Sequence, residues 1–288
     1  MKKPNYELAN HEAVYDFYSD YRPIKTLTKN AYRLLNKVMK PTVSYGELYR
    51  EELDYLARRD TPLILALNHQ SDRNDQWTSA AVAYNMLPQK VGDIGILVKS
   101  TFYTGELLDE MKVSRSKIIR PVAQRALTNF VNTMGSVPVY RPGDQSSEQH
   151  DMSMSATDEL FDVLAERMHH GMPTAIYPEG TADTTDPTRI NPIKGGIAHL
   201  ALRSIDYNDT KPTVIVPIGI SYPAYKHKVN RKGNESVQPA ILKDAHAHIG
   251  EFYYVEPGST VNEVRAETAR VLQGAVTTAF ETQNPTYS

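Results

Sequence analysis

The run Leu63-Ile64-Leu65-Ala66-Leu67 leads directly into Asn68-His69-Gln70-Ser71-Asp72-Arg73-Asn74-Asp75, and an amphipathic stretch, DQWTSAAVAYNML, follows over 75–87. A short apolar run, a polar loop and a helical pattern in that order read as strand, loop and helix. Outward from this unit the same alternation continues. IGILVK (94–99), VPVY (137–140), TAIY (174–177), TVIVPIGI (213–220) and EFYYV (251–255) read as strands. Residues 122–134, 157–170, 196–204 and 260–282 read as helices, with Gly135 and Gly171 as stops after the first two. Strands that are apolar throughout are covered on both faces. The expectation is therefore an α/β fold with a mixed, largely parallel central sheet and helices on both sides.

Composition narrows the function. The chain has 288 residues, 32 Lys+Arg against 34 Asp+Glu, and a net charge of -2. That balance gives no global positive field, so nucleic acid is not an expected partner. The absence of cysteine excludes disulfides, thiolate zinc sites, iron–sulfur clusters and a thiol nucleophile. No apolar run approaches the roughly 20 residues of a spanning helix, and the first residues carry no secretory pattern. The expectation is a cytoplasmic protein.

Residues 1–58 are expected to form a short helical N-terminal extension, and 59–288 a single α/β domain. Within the extension the stretch 22–40 is distinctive. No acidic residue lies between Asp20 and Glu47, while Arg22, Lys25, Lys29, Arg33, Lys37 and Lys40 share one third of a helical wheel. Ile24, Leu27, Ala31, Leu34, Leu35 and Val38 fall on the other side, and Pro41 closes the helix. Such a helix either rests its apolar face on the core or docks on anionic lipid, where each basic residue adds about 1 kcal/mol. Both hold together if it sits beside a site that opens toward a membrane.

Ligands of open α/β sheets bind at the carboxyl ends of strands, so the residues after each strand matter most. His69 and its polar loop follow the first, Arg141 follows VPVY, and Pro178-Glu179-Gly180-Thr181 follows TAIY. Lys99 ends another strand, and Val216-Pro217-Ile218 lies within the longest.

These residues resemble the four ordered blocks of the glycerolipid acyltransferase superfamily, which includes glycerol-3-phosphate and 1-acylglycerol-3-phosphate O-acyltransferases. His69 with its acidic loop is similar to the first block. Gly135-Ser136-Val137-Pro138-Val139-Tyr140-Arg141 is similar to the second. Tyr177-Pro178-Glu179-Gly180-Thr181 resembles the third, with Ala182 where arginine is usual, and Val216-Pro217-Ile218 the fourth. Lys194-Gly195 resembles the basic residue and glycine that open the following helix. Order and spacing agree over roughly residues 60–220.

The resemblance implies transfer of a fatty acyl group from acyl-CoA or acyl carrier protein to the hydroxyl of a lysophospholipid, 1-acylglycerol-3-phosphate first among the candidates. Glycerol phosphate, another acceptor, or lipid binding without turnover are the alternatives. No cofactor beyond the acyl donor is implied, and a membrane surface is. His69 is the expected base, since an imidazole titrates near neutrality. A carboxylate on its other nitrogen fixes the tautomer and favours the imidazolium. The family spacing from His69 falls on Asn74, with Asp75 one residue later. Asp75 is favoured over Asp72 and Asn74, because one extra loop residue is tolerated more easily than loss of the carboxylate. Arg141 and Lys194 are the implied phosphate ligands, with Lys99 a weaker third candidate. Glu179, Gly180 and Thr181 form the implied acceptor loop, where Glu179 either contacts an acceptor hydroxyl or braces the turn.

Other patterns are bland. His246-x-His248 lacks a third ligand nearby in sequence for a metal, and no G-x-S-x-G, P-loop, G-x-G-x-x-G or H-E-x-x-H is present.

Overall fold

The computed structural model describes residues 3–71, 75–110, 119–141, 143, 146–182, 184–207, 211–229 and 235–285. The continuous apolar runs form the strands that the pattern predicts. These are β2 (Leu63–Leu67), β3 (Gly95–Lys99), β4 (Ser136–Val139), β5 (Thr174–Ile176), β6 (Thr213–Ser221) and β10 (Tyr253–Val255). Three strands that the sequence reading did not place are the half-buried β1 (Thr42–Tyr45), the largely exposed β7 (Ala224–Val229) and the mixed β8 (Glu235–Ile241), and β9 (His246–Ile249) is short. Helices are α1 (His11–Asp20), α2 (Lys25–Met39), α3 (Tyr49–Arg58), α4 (Asp75–Met86), α5 (Thr101–Thr104), α6 (Glu106–Glu110), α7 (Ile119–Thr133), α8 (His150–His169), α9 (Gly196–Tyr207) and α10 (Val261–Gln283).

An eight-stranded sheet runs β1-β9-β6-β2-β5-β3-β4, with β10 also paired to β6; β7 and β8 make a separate hairpin. The stretch β6-β2-β5-β3-β4 is parallel throughout, while β9 and β10 join β6 antiparallel. The sheet is thus mixed and largely parallel. One face carries Leu65, Leu67 and Ile218 against Val82, Ala83 and Met86 of α4. On the other face α10 lies so close to β6 that a Cβ at Gly219 would meet the Ala275 carbonyl oxygen at 2.2 Å. Only glycine permits that approach.

Residues 1–58, expected as a short helical extension, carry α1, α2 and α3 and one strand besides. They include β1, which pairs in parallel with β9 and forms an edge of the main sheet. Tyr15, Tyr18, Tyr32, Leu53 and Leu56 share one hydrophobic core with the central strands. Tyr15 donates to the Pro138 carbonyl at 3.2 Å and Tyr32 to the Met134 carbonyl at 2.9 Å. Thr42, Val43 and Ser44, two short polar residues around one valine, leave too weak an alternation for an edge strand to be read from sequence.

The basic helix forms over α2, but it sits differently from a simple apolar-in arrangement. Thr28, Tyr32 and Met39 are its buried residues. Ile24, Leu27, Leu34 and Val38 are 70%, 51%, 63% and 47% exposed. Ala31 and Leu35 of the apolar face pack against the core, while the other four apolar residues stay open to solvent, next to the basic face. Among the described residues no helix is long and apolar enough to cross a membrane.

Candidate active site

Three adjacent parallel strands, β5, β2 and β6, end at the same edge of the sheet, and their last residues meet. Asn68 continues β2 by side chain: its Nδ2 donates to the Ile220 carbonyl at 3.0 Å and its Oδ1 accepts from the Ile220 N–H at 2.7 Å. This amide pairing extends the β2–β6 ladder by one step and fixes the direction in which His69 leaves the strand.

His69 is buried, and its Nδ1 lies 2.9 Å from Oδ2 of Asp75. A carboxylate only accepts, so Nδ1 carries the hydrogen and Nε2 is the basic nitrogen. Asp75 opens α4, where the helix dipole favours a negative charge. The same Oδ2 accepts from the N–H groups of Gln70 at 2.6 Å and Ser71 at 2.8 Å, so the loop folds back onto the carboxylate. Tyr222, directly after β6, donates to Oδ1 at 2.9 Å. Of the three orienters left open by the sequence, Asp75 makes the contact; Asp72 and Asn74 lie outside the described residues.

The Tyr177 ring stacks on the imidazole, with centroids 4.6 Å apart at 26°, and its hydroxyl meets that of Ser79 at 2.6 Å. Burial first, then the Asp75 charge, push both the Tyr177 and Tyr222 phenols above their ordinary range. Both stay protonated at any working pH.

Glu179 is 2% exposed, and both of its oxygens are taken by backbone amides. Oε1 accepts from the His69 N–H at 2.7 Å and Oε2 from the Asn191 N–H at 2.6 Å. Burial raises its carboxyl, and these two N–H groups oppose the rise. This is the geometry of a brace: Glu179 ties the end of β5 to the backbone of the histidine. Of the two roles open in sequence, the hydroxyl contact finds both oxygens already occupied.

Gly180 follows at φ +69°, in the left-handed region. Arg141 Nη1 donates to its carbonyl at 3.0 Å, and a Cβ on it would stand 3.4 Å from Cγ of Lys194. Arg141, half-buried, and Lys194, exposed, thus flank the same glycine, and half-buried Thr181 comes next. Lys194 N–H donates to the Pro178 carbonyl at 2.8 Å, which seats the lysine just before α9. Lys99 is exposed at the end of β3, and its strand partner, Val139, is two residues before Arg141. Val216-Pro217-Ile218 is fully buried strand paired to β2 and serves as wall. Ala182 is buried as well.

His246 and His248 belong elsewhere. They bridge to Thr42 and Ser44 hydroxyls at the β1–β9 edge, and among the described residues no group of three metal-ligating side chains occurs.

Over residues 48–221 the chain matches the family described as Acyltransferase, a span of more than half its length. This chain belongs to the acyltransferase family. The four sequence blocks fall inside that span, as do His69, Asp75, Arg141, Glu179 and Lys194. The acyltransferase is also similar to the crystal structure of the 1-acyl-sn-glycerophosphate (LPA) acyltransferase PlsC from Thermotoga maritima. That similarity has a TM-score of 0.47 and 16% identity over 87% of this chain and 77% of the other. No curated protein matches it.

Asn68, Gln70, Tyr222 and Tyr225 were not singled out by sequence reasoning. Gln70 donates to the Pro187 carbonyl at 3.0 Å and accepts from the Tyr225 hydroxyl at 3.0 Å. Their partners lie more than a hundred residues away, and no local spacing announces such contacts.

Proposed function

We propose that this acyltransferase moves a fatty acyl group from an acyl thioester, acyl-CoA or acyl carrier protein, to the free hydroxyl of a lysophospholipid, with 1-acylglycerol-3-phosphate as the first candidate. The observation that carries the reading is the buried His69–Asp75 pair beside a loop flanked by two cations, Arg141 and Lys194. Nε2 of His69 takes the acceptor hydroxyl proton as that oxygen attacks the thioester carbonyl. The carbon–sulfur bond then breaks and the proton passes to the departing sulfur. An ester and a free thiol result, with no acyl-enzyme and no resident cofactor, because a thioester is already activated. Asp75 stabilises the transient imidazolium. The Arg141 guanidinium and the Lys194 ammonium bind the acceptor phosphate, and Gly180 and Thr181 form the loop beneath it. Ala182, in place of the usual arginine, favours a second reading in which the acceptor is glycerol phosphate or a different hydroxyl.

The exposed apolar and basic faces of α2 support peripheral docking on an anionic membrane, with the protein on the cytoplasmic side. Thiol release from acyl-CoA and acyl carrier protein, measured with both acceptors, tests the reaction. Turnover in the wild type that vanishes in His69→Ala, with the fold intact, is the expected result. Full activity of that variant removes the base role.

A further inference from the structure

We propose that Tyr222 is a positioning residue of the transfer site, acting on His69 through Asp75. The inference rests on the acyl-transfer reading for its consequence but on geometry alone for its coupling. Tyr222 is wholly buried, and its hydroxyl lies 2.9 Å from Oδ1 of Asp75 and 3.2 Å from Oγ1 of Thr78. The other carboxylate oxygen already serves His69, Gln70 and Ser71. The phenol therefore holds the carboxylate in the rotation that presents Oδ2 to the imidazole, and it draws off part of the negative charge at Oδ1. Removing a donor from a buried carboxylate leaves that oxygen unsatisfied and concentrates its charge.

Tyr222 is held in turn by Tyr225, whose hydroxyl accepts from the Tyr222 N–H at 2.9 Å and donates to Gln70 Oε1 at 3.0 Å. Tyr225, on the hairpin, therefore ties the residue after the histidine to the backbone of the residue that bonds the carboxylate. The groups facing the pair are Tyr177 and Glu179 after β5, Thr78 and Ser79 on α4, and these two tyrosines. The charged ones are Asp75 and Glu179. The family match ends at residue 221, so Tyr222 lies just outside it.

Tyr222→Phe keeps the ring and removes one oxygen. The carboxylate, relieved of a donor, holds the imidazolium more strongly. The acid limb of the kcat/KM profile then moves to higher pH, and kcat falls on the order of tenfold. The acceptor KM stays within about twofold, since no phosphate contact is touched. In substrate-free protein, NMR titration of the His69 ring shows protonation at higher pH than in wild type. The phenol's one hydrogen goes to the carboxylate, so the Thr78 hydroxyl donates to the phenol oxygen and makes it a better donor. Thr78→Val, which removes that support, moves the titration in the same direction by less and covers the case in which Tyr222→Phe does not fold. An unmoved imidazole titration overturns the proposal whatever happens to kcat, and so does an unchanged kcat in an enzyme that turns over. If the wild type turns over no acyl donor at all, the acyl-transfer reading fails while the titration still decides the coupling.

Discussion

The side-chain amide of Asn68 and the backbone of Ile220 bond in both directions, at 3.0 and 2.7 Å, as though β2 had one more residue. The histidine that follows inherits its direction from this pair rather than from its own loop. Asn68→Ala strands a buried N–H and a buried carbonyl, each costing about 1–3 kcal/mol. Thermal melts are expected to show a loss of about 2 kcal/mol or more, and kinetics a fall in kcat with the acceptor KM retained. A variant as stable and active as wild type contradicts this role.

Glu179→Ala removes the acceptor for the His69 and Asn191 N–H groups together. The expected cost is again about 2 kcal/mol or more, and it comes with displacement of the histidine backbone. Activity drops at saturating acceptor, because the defect lies in the base rather than in binding. A change confined to acceptor KM would instead return Glu179 to the acceptor loop.

Arg141→Ala and Lys194→Ala each remove one cation beside Gly180. Charge-assisted bonds to phosphate are worth about 1.5–3 kcal/mol, so each variant raises the acceptor KM by about tenfold or more. The donor KM stays put. Arg141→Lys recovers only part of the loss, since an ammonium cannot match phosphate in bidentate fashion. Equal effects on donor and acceptor would remove the phosphate role.

Leu27 and Leu34 are over half exposed, so replacing both by serine leaves stability within about 0.5 kcal/mol. On anionic vesicles the same replacement weakens binding at least tenfold, because each buried leucine contributes about 1.5–3 kcal/mol. Wild-type binding weakens as salt rises and is absent on neutral vesicles. Co-sedimentation indifferent to salt and lipid charge removes the docking role of α2.

Burial holds His246 and His248 below their ordinary value of 6.5. Above 6.5 neither the folded nor the unfolded imidazole carries a proton. As pH falls below 6.5 the unfolded chain takes protons that the folded one refuses, so stability drops. Glu179, pushed above 4.5, acts in the opposite direction. Tm followed from pH 8 to pH 5.5 is expected to fall, and His246→Gln to flatten the fall. A variant curve parallel to wild type rules out the imidazole as its source.

How much of this was legible follows from where each signal lies along the chain. LILAL and TVIVPIGI announce buried strands because every side chain in them is apolar, and the residues after them could be searched for chemistry. His69, Arg141 and Glu179 were singled out in that way, and Lys194 by the resemblance at the start of the following helix. Asp75, which contacts the imidazole, was favoured despite its shifted spacing, since one extra loop residue is tolerated more easily than loss of the carboxylate. Thr42-Val43-Ser44-Tyr45 gave no such signal, because an edge strand with its side chains half in water has no pattern to display. Tyr222 and Asn68 were invisible for another reason. Each contributes only through a partner 147 or 152 residues away, and that pairing exists only once the sheet has formed.

The pairing of β2 with β6 also sets when the arrangement around His69 is complete. The histidine leaves the ribosome early, but the strand that aims it and the phenol that steadies its carboxylate are made about 150 residues later. A growing chain therefore holds its imidazole beside Asp75 before either the Asn68 pairing with Ile220 or the Tyr222 hydrogen bond can form.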